Sequence, residues 1–75
     1  MKKSDLKTGM YVIMRDSSEN IILEWDKSIV NIKDGGYIQI DWLNDDLTCS
    51  ENTQLDIMKV YEDYTLSNLL WKRKI

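Results

Sequence analysis

Apolar residues in this 75-residue chain occur in short runs separated by polar turn clusters, and this pattern predicts β-strands. The first run, MYVIMR over residues 10–15, follows Gly9 and ends at the polar stretch DSSEN. The second is NIILEW over residues 20–25, and the third is IVNIK over residues 29–33, where Asn31 interrupts the β-branched residues. Short runs bounded by such clusters are typical of strands rather than helices.

The fourth run shows the cleanest alternation of apolar and polar positions. It follows Asp-Gly-Gly at residues 34–36, the strongest turn signal in the chain, because glycine supplies the positive φ that a tight hairpin needs. In residues 37–42, Ile38, Ile40 and Trp42 share one face of the strand. We expect this face in the core and the opposite face in solvent.

The second half of the chain is less regular. Residues 55–61 predict a further strand of ambiguous phase, because apolar residues lie on both of its faces. The preceding stretch, residues 43–54, is polar and glycine-free, which predicts a long loop with one helical turn. Near the end, the leucines of TLSNLLW (residues 65–71) have helical spacing, but LLWKRKI (residues 69–75) is equally consistent with a closing strand.

We therefore predict one domain over residues 1–75, mainly β, with five to six short antiparallel strands and at most one short helical segment. The architecture expected is a small SH3-like barrel or a β-roll. Lys7, Gly9 and Val12 form a Lys-x-Gly-x-x-Val opening that resembles the first strand of SH3-like barrels.

The first predicted strand is apolar on both faces. Met10, Val12 and Met14 are expected to face the core, which leaves Tyr11 and Ile13 on the opposite face. Two apolar residues are more than a solvated strand needs. Tyr11 and Ile13 are therefore our candidates for a contact with a covering loop or for a seam between subunits.

The composition excludes several kinds of site. The chain has no histidine, which removes Ser-His and Cys-His nucleophiles and imidazole metal ligands. Cys49 is the single cysteine, so neither an internal disulfide nor a Cys-rich metal site can form. The N-terminal MKKSDLKTG lacks the apolar segment of a signal peptide, and no apolar run approaches a membrane span. We expect a cytoplasmic, non-enzymatic protein with no catalytic residues, no cofactor, no metal and no membrane association.

Charge is segregated along the chain although the net charge is only −3. Residues 1–15 carry a net +3, residues 34–63 carry eight carboxylates against one lysine, and the last twelve residues carry three unopposed basic side chains. If the carboxylates of residues 34–63, the acidic middle of the chain, are exposed together, they would attract basic surfaces and repel nucleic acid. Alternatively, the basic ends pack beside the middle and neutralise it, with each exposed pair worth ~0–1 kcal/mol.

Four acidic residues in the middle of the chain are the candidate binding residues: Asp41, Asp45, Asp46 and Glu51. We expect them to form an acidic surface rather than a cation site. Their spacing misses the EF-hand pattern, because the third ligand position falls on Leu43 and the loop has no glycine at its bend.

Three stretches carry a resemblance to a known group of proteins: DLKTGMYVIMR, DWLNDDLT and DIMKVYE. They resemble small uncharacterised proteins of Gram-positive (Firmicutes) phages and prophages, with an LKTGMxVxxR opening and a later DIMKVYE-like strand. The likeness spans residues 5–62, with LWKR near the end as a further point of similarity. Members of the group commonly have a Asp-Gly turn after the first strand, where this chain has DSSEN. The resemblance implies a bacterial cytoplasmic setting and a mobile-element origin, and it brings no catalytic residues.

These observations predict a non-enzymatic phage or prophage protein that inhibits a host defence or nucleic-acid-handling protein. Its partner would be a host protein with a basic surface, bound through the acidic residues. One alternative is a homo-oligomer that sequesters a nucleotide-like ligand at its seam. The other is a small barrel that binds nucleic acid through aromatic faces and the basic ends, although a pI near 4.7 makes nucleic acid the weaker candidate.

Overall fold

The computed structural model describes residues 1–74, so the predicted extension of the domain to Ile75 lies outside the described residues. Its strands are β1 (Tyr11–Met14), β2 (Glu19–Leu23), β3 (Ser28–Asn31), β4 (Tyr37–Gln39), β5 (Ile57–Tyr61) and β6 (Leu69–Lys72). They form one antiparallel sheet in the order β4-β3-β2-β1-β5-β6. The described residues contain no α-helix, and their helical segments are 3₁₀ turns at Lys3–Asp5, Glu24–Asp26, Ile40–Trp42 and Thr53–Leu55.

The mainly β class and the antiparallel strands are confirmed, but the predicted closure into a barrel is wrong. Over residues 1–74, β4 and β6 are the two edges of the sheet and do not pair with each other. The chain leaves the sheet after only three residues of β4 and enters a 3₁₀ turn, so this edge is short. The prediction of at most one helical segment is also wrong, since the four 3₁₀ turns are spread along the chain.

The hydrophobic core lies on one face of the sheet. The buried residues of this core are Leu6, Val12, Met14, Ile22, Ile29, Leu43, Leu47, Cys49, Ile57 and Val60. Three of them, Leu43, Leu47 and Cys49, come from the long connection between β4 and β5, which therefore covers the sheet. In β1, Val12 and Met14 are buried and Met10 packs against the core, as predicted.

A β-bulge explains the ambiguous phase of residues 55–61. Ile13 pairs with Lys59, while its neighbour Met14 pairs with Ile57, so one extra residue is inserted in β5. The bulge brings Ile57 and Val60 to the core face, although regular alternation would place them on opposite faces.

Two further expectations are corrected by the local backbone. Trp42 is not a core residue: it is 54% exposed, because the 3₁₀ turn at Ile40–Trp42 ends the alternation of β4. The C-terminal leucines do not form a helical turn, since Leu66 has a left-handed φ of 59° and residues 69–72 form β6. The closing-strand alternative is therefore the one observed.

Candidate functional site

The predicted acidic residues lie on the connection that covers the core, and we call residues 41–51 the acidic segment. An isolated β-bridge pairs Leu43 with Cys49, and the backbone amide of Asn44 donates a hydrogen bond to the Thr48 carbonyl at 2.8 Å. Between these pairs, Leu47 is fully buried. The backbone of the segment is therefore fixed by core side chains on one side, while its polar side chains point away from the core.

The structure brings all four predicted carboxylates to this segment. Asp45 and Asp46 lie at the tip of its tight loop, while Asp41 and Glu51 lie just beyond the two ends of the Leu43–Cys49 bridge. All four residues are exposed. None of them takes part in an ion pair within residues 1–74.

The basic ends of the chain approach the acidic segment without binding its carboxylates. Lys3 Nζ donates to the Leu43 carbonyl at 3.0 Å, and Arg73 Nη2 donates to the Asp46 carbonyl at 2.8 Å. Arg73 Nε also donates to the Ile57 carbonyl at 3.0 Å. Four exposed carboxylates thus stand against two nearby cations, so the neutralisation considered above is partial and the segment keeps a negative charge.

Asp46 is held in its ionised form by its local hydrogen bonds. Its Oδ1 accepts from the Thr48 hydroxyl at 2.5 Å and from the Thr48 amide at 3.1 Å. These bonds to Thr48, together with the nearby Arg73 guanidinium, lower the pKa of the Asp46 carboxyl below its ordinary value of 3.8. Asp46 therefore carries its charge throughout the physiological pH range.

The candidate seam residues lie on the outer face of the sheet, opposite the core. Tyr11 is 8% exposed and pairs across the strands with Ile21 and Tyr61, whereas Ile13 is half-buried. Burial, together with the Glu19 carboxylate, raises the pKa of the Tyr11 hydroxyl above 10.0. Most of the Tyr11 surface is already covered within one chain, so Ile13 offers more surface to a second subunit. The seam stays a prediction.

A second feature, which we call the polar cleft, was missed by sequence reasoning. It encloses about 240 Å³ where the β1–β2 turn and the β3–β4 turn meet at one end of the sheet. Its polar lining comes from Asp16, Ser18, Asn20, Asn31, Asp34 and the backbone of Gly36. The other lining residues are Met14, Ile29, Ile38, Leu55 and Tyr37.

The cleft is built on paired strands and an anchored turn. Asn20 and Asn31 are directly paired residues of β2 and β3, on the same face as the core residues of those strands. The Asp16 amide donates to the Gln54 carbonyl at 3.0 Å, which ties the β1–β2 turn to the 3₁₀ turn at Thr53–Leu55. The sequence did carry one signal for this cleft, because Asn31 is the polar residue that interrupts the third apolar run.

Neither feature supplies a metal centre. Within the described part of the chain, no group of three or more carboxylate or thiol side chains is placed to hold a metal ion. The buried thiol of Cys49 belongs to the core.

No helix within residues 1–74 is long and apolar enough to cross a membrane.

The comparisons with known proteins leave the chain without a family assignment. No protein-family model matches the sequence, and neither the curated proteins nor the solved structures gave a match.

Proposed function

We propose that the protein is a non-enzymatic binding protein that captures a macromolecule with a basic surface through the acidic segment. The observation that carries the proposal is the presentation of Asp41, Asp45, Asp46 and Glu51 on a segment fixed by buried side chains. Together with the resemblance to phage and prophage proteins, it favours an inhibitor of a host defence or nucleic-acid-handling protein in the bacterial cytoplasm.

The fixed backbone makes the acidic segment a favourable docking element. A preorganised loop loses little conformational entropy when it binds, so more of its interaction energy appears as affinity. An exposed field of one sign also accelerates the encounter with a surface of the opposite sign. The same field disfavours the phosphate backbone of nucleic acids, so a basic protein surface is the partner that this segment fits.

We also propose a more specific fold for the open sheet. The Lys7, Gly9 and Val12 opening and the antiparallel order of the strands support an SH3-like arrangement that is left open on one side. A β-roll is the alternative with the same strand order.

Charge reversal tests the proposed function. The variant carries D41K, D45K, D46K and E51K, and it is compared with wild type for the proteins captured from a Gram-positive host lysate. A matched control carries D5K, E24K, D26K and E62K, which reverses four exposed carboxylates outside the segment and gives the same net charge. Both variants are first checked for native unfolding transitions.

We expect wild type and the control to capture the same partner, and we expect the acidic-segment variant to lose it. Capture by wild type should weaken as salt is raised, because exposed charges are screened. If the acidic-segment variant captures the same protein as wild type, the proposal is wrong.

A further inference from the structure

The polar cleft contains a buried side chain whose hydrogen-bonding capacity is incompletely used. Asn20 is 3% exposed, and its Nδ2 donates to Ser18 Oγ at 3.1 Å. Within residues 1–74 its Oδ1 accepts no hydrogen bond, yet no fully buried side-chain polar atom there lacks a partner. Solvent must therefore reach Asn20 Oδ1, and Asn20 lines the polar cleft. An acceptor atom without a protein partner, on a side chain that lines a cleft, is a position for a ligand donor.

Two carboxylates on the rim of the cleft each accept a hydrogen bond at only one of their two oxygens. Asp16 Oδ1 accepts from the Ser18 amide at 2.9 Å, and Asp34 Oδ1 accepts from the Gly36 amide at 2.8 Å. Their Oδ2 atoms accept no hydrogen bond from residues 1–74, and neither residue forms an ion pair there. No lysine or arginine of this part of the chain lines the cleft. The side-chain oxygens described above that have no protein partner are therefore all acceptors, and two of them belong to negatively charged carboxylates.

The apolar lining restricts the kind of cation that fits. Ile38 and Leu55 are half-buried beside the polar rim, and Tyr37, which also lines the cleft, is 66% exposed. A guanidinium is planar, carries five N–H donors and no acceptor, and stacks on aromatic rings. It is also more weakly hydrated than an ammonium, so it loses less on entering a partly apolar cleft. Phosphate-bearing ligands are disfavoured by the two carboxylates.

The size of the cleft matches one side chain. Its volume of about 240 Å³ lies below the range of roughly 300–1,000 Å³ typical of pockets for drug-sized ligands and cofactors. We propose that the polar cleft binds the guanidinium group of an arginine side chain presented by the partner. This inference rests on the proposed function, because that function supplies a partner with a basic surface, but it concerns a different part of the molecule from the acidic segment.

The direct test uses a capped amino acid as the probe. Nα-acetyl-L-arginine methylamide is titrated into the full-length ¹⁵N-labelled protein, and amide chemical shifts are followed. Capped citrulline, which has the same shape without the charge, capped lysine and adenosine serve as comparison probes. We expect saturable shifts at residues 16–20 and 34–37, with arginine binding at least about tenfold tighter than citrulline, because charge-assisted hydrogen bonds are lost in the neutral analogue.

A paired variant separates the cleft from general electrostatics. D16N/D34N removes both charges but keeps an oxygen at Oδ1, so the turn hydrogen bonds to Ser18 and Gly36 are retained. It should lower the affinity for capped arginine at least about tenfold. The control D45N/E51Q removes two charges from the acidic segment, where neither side chain makes a hydrogen bond to residues 1–74, and should leave that affinity unchanged.

Several results would overturn the inference: equal binding of citrulline, tighter binding of adenosine or capped lysine, shifts confined to the acidic segment, or no saturable binding. These results leave the proposed function intact if charge reversal in the acidic segment still abolishes capture of the host partner. Conversely, arginine binding in the cleft together with unchanged capture by the charge-reversed variant would contradict the proposed function and support the cleft.

Discussion

Asp56 contributes to the acidic middle of the sequence, but its side chain is part of the interior. The residue is 5% exposed; its Oδ2 accepts from Arg15 Nη2 at 3.0 Å and its Oδ1 accepts from the Cys49 amide at 2.8 Å. One carboxylate therefore joins the end of β1, the acidic segment and the start of β5. A count of charges along the sequence could not separate this residue from the exposed carboxylates, because burial depends on contacts between distant parts of the chain.

We predict that Asp56→Ala destabilises the fold by about 2 kcal/mol, because it leaves the buried Cys49 amide without its acceptor. Asp56→Asn should cost less, since its amide oxygen can still accept from Cys49. Urea denaturation followed by circular dichroism measures both effects. Asp45→Ala is the surface control and should change the free energy of unfolding by less than about 0.5 kcal/mol. Equal effects of the alanine substitutions at 45 and 56 would contradict a structural role for the Asp56 bonds.

At the scale of single elements, the predictions from the sequence were correct where the strand continues along the alternating run. The alternation in β1 placed Val12 and Met14 in the core, and Asp-Gly-Gly lies in the turn between β3 and β4, where Gly35 has a φ of 72°. The predictions were wrong where the backbone departs from the period. The 3₁₀ turn that exposes Trp42 depends on tertiary contacts that no local pattern records.

The polar cleft could not be derived from the sequence for a related reason. Asp16 and Asp34 lie in different turns, and their approach depends on the pairing of β2 with β3. The register of that pairing also places Asn20 directly opposite Asn31, although the two residues are far apart in the sequence. By contrast, the four acidic-segment residues are close in sequence, so their common placement could be predicted.

Leu47 is one of the buried residues that fix the conformation of the acidic segment. Leu47 is 0% exposed although its φ is 70°, and its carbonyl accepts from the Ile57 amide at 3.0 Å. We predict that Leu47→Ala destabilises the protein by about 2–4 kcal/mol through loss of burial and a residual cavity. It should also accelerate hydrogen exchange at the Ile57 amide relative to the amides of β2 and β3.

Leu66→Ala is the matched control for this prediction. Leu66 also has a left-handed backbone, with a φ of 59°, but it is 38% exposed. Substitution there makes the same change at a similar φ with far less burial, so we expect less than about 1 kcal/mol of destabilisation. If Leu47→Ala and Leu66→Ala had the same effect, backbone conformation rather than core packing would hold the segment.

At the scale of the whole molecule, the two ends of the chain stabilise the acidic middle while leaving it charged. Lys3 and Arg73 bind carbonyl oxygens of the segment, and Arg15 binds the buried carboxylate of Asp56. The segregation of charge in the sequence therefore affects both the packing of the chain and the charge of its surface. The cations fix the backbone of the connection, and the carboxylates at its tip and flanks face solvent.

The open sheet has a second whole-molecule consequence, at its β6 edge. Leu69 and Leu70 are 46% and 41% exposed on this edge strand, and Leu70 lies at an irregularity in its pairing with β5. Exposed apolar edge strands promote association between chains, and a lysine on the edge opposes it.

We predict that Leu70→Lys reduces light scattering on heating relative to wild type. Trp25→Lys is the control, since it makes the same change in charge at an apolar residue that is 76% exposed but lies in the turn between β2 and β3. If both variants suppressed scattering equally, the edge of β6 would not be the site of association; a selective effect of Leu70→Lys would assign it to that edge.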